Sequence, residues 1–190
     1  MDLCQAFWAI RSAVVLVATI REMIIIRQAT EADLPAILEI YNDVIVSTTA
    51  VYDYNPHTLA MRQQWFETKK QQGFQVFVAE ENDVVLGLSS IGPFRAWAAY
   101  QYTVENSIYV AAAAIGRGIA KLLMPPIIEA ARQLKLHTMV AGIDASNEAS
   151  LQLHRQFGFK EVAHFKEVGF KFNRWLDLKF LQLILNTPAQ

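Results

Sequence analysis

Apolar residues between Ile24 and Leu185 fall into short blocks, and their spacing sorts these blocks into strands and helices. Ile24-Ile25-Ile26 reads as a short buried strand. Thr30 then caps a helix whose first turn carries Glu31 and Asp33, acids that suit its positive end. Leu34, Ile37, Leu38, Tyr41, Val44 and Ile45 recur at helical spacing to about Ser47, and Pro35 sits in the tolerant first turn. A loop rich in Thr, Tyr and Asn follows to Pro56. A second helix is expected from Thr58 to just before Gly73, with Leu59, Met61, Trp65 and Phe66 to bury.

Phe74–Glu80 and Val84–Ile91 read as strands joined by the turn Glu81-Asn82-Asp83, with Gly92-Pro93 ending the second. Thr103–Val110 is a further strand and leads into Gly116-Arg117-Gly118-Ile119-Ala120. The next helix reaches about Leu134, but Pro125-Pro126 predicts a kink or an early stop near Met124. Thr138–Asp144 is a strand, and Asn147–Phe157 a helix stopped by Gly158. Phe159–Val168 and Trp175–Leu185 complete the order β-α-α-β-β-β-α-β-α-β-β. That order implies one α/β (α+β) domain with a mixed sheet.

Composition narrows the class. The 190 residues are 53% hydrophobic and 18% charged, with a net charge of -1. This is a packed globular chain with no polybasic nucleic-acid signature. The single cysteine, Cys4, excludes an internal disulfide framework, and the four histidines lack metal-ligand spacing, so no metal is expected. Residues 1–22 are largely apolar but interrupted by Arg11, and Asp2 stands where a signal peptide carries positive charge. They read as an N-terminal extension ahead of a natural start at Met23, with a domain over 23–186 and a tail at 187–190. A membrane role is not expected, and the protein is taken as cytoplasmic.

The glycine segment carries the chemistry. A strand, a glycine turn and a helix start together form a cradle for phosphate, because the first helical N–H groups have no internal partner. Without a following Gly-Lys-Ser/Thr it is no nucleotide P-loop, and no acidic ribose binder stands where a dinucleotide fold needs one. Taken alone, the two glycines also fit an ordinary tight turn. A second polar helix start follows the next strand in the run Asn147-Glu148-Ala149-Ser150-Leu151-Gln152-Leu153-His154, ending at Gly158-Phe159.

These two segments, in this order, resemble the GCN5-related N-acetyltransferases, with a Gln/Arg-x-x-Gly-x-Gly/Ala loop and an Asn-x-x-Ala-x-x-Leu-Tyr helix. Ile115 stands at the first loop position, Ala120 at the last, and His154 at the usual tyrosine. Gly92-Pro93-Phe94-Arg95, Tyr102–Val110 and Lys171–Asp177 are similar to the phosphinothricin and methionine sulfoximine acetyltransferase branch. The resemblance spans nearly all of Ile24 to Leu185. It implies the family's splayed sheet flanked by helices, acetyl-CoA as donor, a small amino-acid-like acceptor and a homodimer.

It also distributes roles. Glu105 is the candidate general base, and His154 the candidate acid for the departing thiolate, or else an ordinary histidine of an amphipathic helix. The N–H groups along Ile108, Tyr109 and Val110 would stabilise the oxyanion. Those of Gly116, Arg117, Gly118, Ile119, Ala120 and Lys121 would hold the pyrophosphate, while Asn147 binds pantetheine or caps its helix. Arg95 would grip an acceptor carboxylate, with Trp97 and Tyr52 walling the pocket. Two rival readings stay open: a CoA-binding sensor without turnover, and an acetyltransferase for a polyamine, an aminoglycoside or a protein N-terminus.

Overall fold

A computed structural model describes residues 23–185, so the extension over 1–22 and the tail lie outside the described residues. The elements are β1 (Ile25–Gln28), α1 (Leu34–Ser47), α2 (Leu59–Gln71), β2 (Val76–Glu81), β3 (Val84–Pro93), β4 (Thr103–Val110), α3 (Ile119–Gln133), β5 (Thr138–Asp144), α4 (Glu148–Gln156), β6 (Lys160–Lys171) and β7 (Arg174–Ile184). The seven strands form one sheet in the order β1-β2-β3-β4-β5-β7-β6. Only β4 and β5 run parallel, joined through α3; the other neighbours are antiparallel.

Alternation along β3 assigns the helices to faces. Leu88 packs with Leu34, Ile37, Ile40 and Phe66 of α1 and α2. Ile91 packs on the other face with Met124, Ile127 and Ile128 of α3 and Leu151 of α4. Both faces of the sheet centre are therefore covered, and the core divides between them.

Local chemistry explains most boundaries. Thr58 Oγ accepts from the Met61 N–H at 3.3 Å and caps α2. Asn82 and Asp83 both have positive φ and close the β2–β3 hairpin as a two-residue turn. Phe172 and Asn173 do the same between β6 and β7, so β6 extends to Lys171, beyond the expected end at Val168. At Thr30 a short 3-10 turn over Glu31–Asp33 precedes α1, and the Asp33 carboxylate accepts the Thr30 N–H at 2.7 Å. Ile25 is exposed, because β1 is an edge strand rather than a buried one.

The proline pair gives the clearest departure from expectation: α3 runs unbroken from Ile119 to Gln133 with Pro125 and Pro126 inside it. Each interior proline costs about 3 kcal/mol. Against that, Leu123, Met124, Ile127, Ile128, Ala130 and Ala131 are all buried on this helix. Burying each large aliphatic side chain contributes about 1.5–3 kcal/mol, so packing outweighs the prolines. Ser89 Oγ donates to the Leu123 carbonyl at 3.0 Å, a bond from the sheet beside the Lys121 and Leu122 carbonyls whose i+4 donors the prolines remove.

Candidate active site

The sheet opens at its centre. The parallel pairing of β4 with β5 covers only Thr103–Thr138, Val104–Met139 and Glu105–Val140. Beyond Glu105, β4 stays with β3 to Val110, and β5 stays with β7 to Asp144. The strands part, and a cleft of about 690 Å³ opens between them, lined by Glu105–Val110, Gly116, Gly118–Lys121, Ala141–Asp144, Asn147 and His154.

Strand alternation decides which amides face this cleft. The Ala111 N–H donates to Leu86 O of β3 at 2.9 Å, so the odd-numbered residues of this stretch turn their N–H groups toward β3. Ile108 and Val110 consequently direct theirs into the gap. Tyr109 does not; it packs edge-on against Tyr41 of α1, with ring centroids 5.3 Å apart.

At the end of the cleft, Gly116 and Gly118 adopt left-handed conformations, with φ of +82° and +79°. A Cβ at either would meet nothing within 4 Å, so glycine serves the backbone turn here rather than space within the chain. Among the described residues no carbonyl takes the N–H groups of Gly116, Gly118, Ile119 or Ala120. Those of Arg117 and Lys121 donate to Ala114 O and Gly118 O. The cradle is thus four amides rather than six. The Arg117 side chain is engaged elsewhere, paired with Glu81 Oε1 at 2.6 Å, while Lys121 is exposed at the cleft rim.

Glu105 is the last residue of β4 paired to β5, and its half-buried side chain lines the cleft. Burial raises its pKa above the usual range, opposed by the charge of Arg95 and a hydrogen bond from the Gly142 backbone. A carboxylate with a raised pKa thus shares a cleft with four amides that no backbone carbonyl takes.

Residues 26–179 match the family described as the acetyltransferase (GNAT) domain. An L-methionine sulfoximine/L-methionine sulfone acetyltransferase of Pseudomonas aeruginosa is 46% identical over 162 residues, 85% of this chain and 94% of that protein. A phosphinothricin N-acetyltransferase of Streptomyces coelicolor is 36% identical over 160 residues, covering 83% and 94%. Among solved structures, yncA of Salmonella typhimurium with its cofactor acetyl-CoA superposes with a TM-score of 0.86 at 42% identity, covering 88% of this chain and 96% of that one.

This chain belongs to the GNAT acetyltransferase family.

In this acetyltransferase, His154 lies buried beneath the cleft rather than free at its surface. Its Nδ1 bonds the Ser150 carbonyl at 2.8 Å, so Nδ1 carries the proton. Its Nε2 faces Asn106 Nδ2 at 3.0 Å and accepts from it. Burial lowers its pKa and keeps it neutral. Both nitrogens are engaged within the chain, and the ring offers no Nε2 proton to a leaving group. This geometry fits the buried-histidine reading better than that of a direct acid, and it ties α4 to Asn106 of β4.

Asn147 caps α4: its Oδ1 accepts the Ser150 N–H at 3.1 Å, and the residue also lines the cleft. Arg95 stacks on Phe94 at 4.2 Å and lies close enough to Glu105 to lower its pKa. Trp97 is 70% exposed, packed against Tyr100 rather than on the cleft wall, because the turn over Ala98–Tyr100 carries it outward. Tyr52 packs on Gly169 of β6, where a Cβ would lie 2.5 Å from its ring, and burial pushes its pKa up to about 12. Asp177 bonds His164 Nε2 at 2.9 Å.

Sequence reasoning passed over Asn106, Ser107, Gly142 and Lys171. Asn106 and Ser107 directly follow Glu105 on its strand, which was a usable signal. Lys171 Nζ donates to Ile45 O, Thr48 O and Val51 O at 2.6, 2.9 and 2.6 Å, tying the end of α1 to the β6–β7 hairpin; no local pattern announces that contact.

Proposed function

We propose that this protein transfers the acetyl group of acetyl-CoA directly to the α-amine of a small amino acid analogue of the methionine sulfoximine, methionine sulfone or phosphinothricin type. One observation carries the reading: Glu105 stands where the sheet opens, in the same cleft as the unpaired amides of Gly116, Gly118, Ile119 and Ala120. The match to the GNAT family and the names of its relatives supply the donor and the acceptor class.

The cradle amides bind the pyrophosphate at the start of α3, which adds its own positive end. The gap between β4 and β5 admits the pantetheine arm alongside Asn147. The acceptor arrives as an ammonium, which cannot attack. Glu105 takes one proton, directly or through water, and burial, by raising its pKa, makes it the stronger proton acceptor. The freed amine attacks the thioester carbonyl, and the negative charge that develops on oxygen faces the N–H groups of Ile108 and Val110. The C–S bond breaks, CoA departs as a thiolate, and the second proton, left on the nitrogen by its attack, passes to that thiolate or to water. A thiol pKa of about 8.5 makes that a fair leaving group without a proton delivered in concert. Arg95, adjacent to Glu105, holds the acceptor carboxylate bidentately. Among the described residues no cysteine lines the cleft, which favours direct transfer.

The reading includes a homodimer. β6 is an edge strand, and Phe165, Val168, Phe170, Phe172 and Trp175 around its hairpin are all exposed, an apolar patch suited to a second copy. Dependence on acetyl-CoA fits a cytoplasmic enzyme. Light scattering on the full chain tests the dimer.

A CoA-release screen tests the function across methionine sulfoximine, methionine sulfone, phosphinothricin, ordinary amino acids, polyamines and a peptide amine. Release confined to the first group is expected. Acetyl-CoA binding with no thiol release on any amine would sink the enzyme reading in favour of a sensor.

A further inference from the structure

A second cavity, of about 200 Å³, lies under α2 against β3 and β4. Its wall holds the side chains of two basic residues, Arg62 and Lys69, with Tyr41, Ser90, Ser107 and Tyr109. No Asp or Glu contributes to it.

Arg62 is only 3% exposed, and its Nε has no hydrogen-bond partner. Its Nη2 donates to His57 Nδ1 at 2.9 Å, and His57 in turn bonds Asp53 at 3.0 Å through Nε2. The guanidinium stacks 3.9 Å over Tyr41 and 4.7 Å from Trp65. Lys69 donates to the Ile91 carbonyl, and burial pulls its pKa down to about 8. A buried, unsatisfied donor on a cation is costly unless something accepts from it. A water-sized gap lined by hydrocarbon would need no such residues, whereas a site for an oxygen-rich group would use both.

The location says which group. Ser107 and Tyr109 line this cavity and the cleft alike. Ser107 lies two residues past Glu105 on the same face of β4, a rise of about 7 Å. A side chain of roughly three or four heavy atoms covers that span. Arg95 lies on the opposite side of Glu105, past the end of β3.

We propose that the Arg62–Lys69 cavity is the side-chain subsite of the acceptor, taking a tetrahedral, oxygen-bearing head such as a sulfone, sulfoximine or phosphinate. Resting on the acetyltransferase reading, it arranges the acceptor with its amine at Glu105, its carboxylate toward Arg95 and its head group among donors from Arg62, Lys69, Ser90 and Ser107. An apolar side chain of equal length leaves Arg62 Nε unpaired and is rejected for that reason.

Calorimetric titration of the CoA-bound full chain reads this without turnover. Methionine sulfone is expected to bind at least ~10-fold more tightly than norleucine, which has the length but not the oxygens. Lys69→Met should weaken the sulfone at least ~10-fold and leave norleucine unchanged, and Lys69→Arg should restore binding. Equal wild-type affinity for the two ligands, no detectable sulfone binding, or equal losses for both in Lys69→Met would overturn the subsite. The ligand comparison in wild-type protein stands even where a variant fails to fold. Failure of the acetyltransferase reading shows separately, as CoA binding with no thiol release on any amine.

Discussion

The carboxylate of Glu105 occupies the space that a side chain on Gly142 would fill: its Oε1 lies 2.9 Å from the position of a Cβ there. The glycine backbone also donates a hydrogen bond to it. The carboxylate is thus positioned by the absence of a side chain on the neighbouring strand. Gly142→Ala should displace the carboxylate while sparing the strand, since Gly142 needs no positive φ. Steady-state kinetics should show kcat/KM down about 10–100-fold with Tm nearly unchanged. Full activity would mean that the carboxylate position does not matter.

Glu105→Gln should lower kcat by at least about 100-fold across pH 6–9. It should also stabilise the fold. Burial raises the folded pKa of Glu105 above its ordinary 4.5. Its contribution to stability is therefore fully present below pH 4.5 and lost as pH rises through the folded value. The variant escapes that loss, so its Tm advantage over wild type should grow from pH 4 to pH 8. A constant Tm difference would contradict the burial argument.

His154 carries the opposite sign. Burial lowers its pKa below 6.5, so its contribution to stability is present above that pH and lost as pH falls through the lowered folded value. His154→Phe should flatten the acid side of the Tm profile. Its kcat should fall by no more than about 10-fold, with the basic limb of the rate profile unmoved. Disappearance of that limb would restore the proton-donor role to His154.

Lys171 is 4% exposed and satisfies three carbonyls at the end of α1. Lys171→Met keeps most of the stem but orphans those acceptors. Urea unfolding should show a loss of at least about 2 kcal/mol. The effect should extend to the acceptor side, because Thr48 and Ala50 line the cleft. A loss below 0.5 kcal/mol, as an order-of-magnitude threshold for surface changes, would rule out this tie.

Much of the fold was legible because its signals are local. The Asn82-Asp83 turn, the Thr58 cap and the glycines before α3 each follow from what one or two residues prefer. Of the kink or early stop expected at Pro125-Pro126, the early stop does not occur: the local cost was visible and the compensating burial was not. In the site, Glu105 and the glycine turn could be found on one stretch of chain. The roles of Arg117, Tyr109 and His154 could not, since each depends on which neighbour it meets: Glu81, Tyr41 and Asn106.

The sequence by itself determined the order of elements, the phosphate cradle and the carboxylate upstream of it, because backbone conformation and hydrophobic spacing act over a few residues. Only the tertiary structure decided where β4 leaves β5, which amides face the gap, that His154 is buried against Asn106, and that Arg62 and Lys69 share a cavity. Those outcomes depend on burial and on contacts between residues far apart in the chain, and no local preference encodes them.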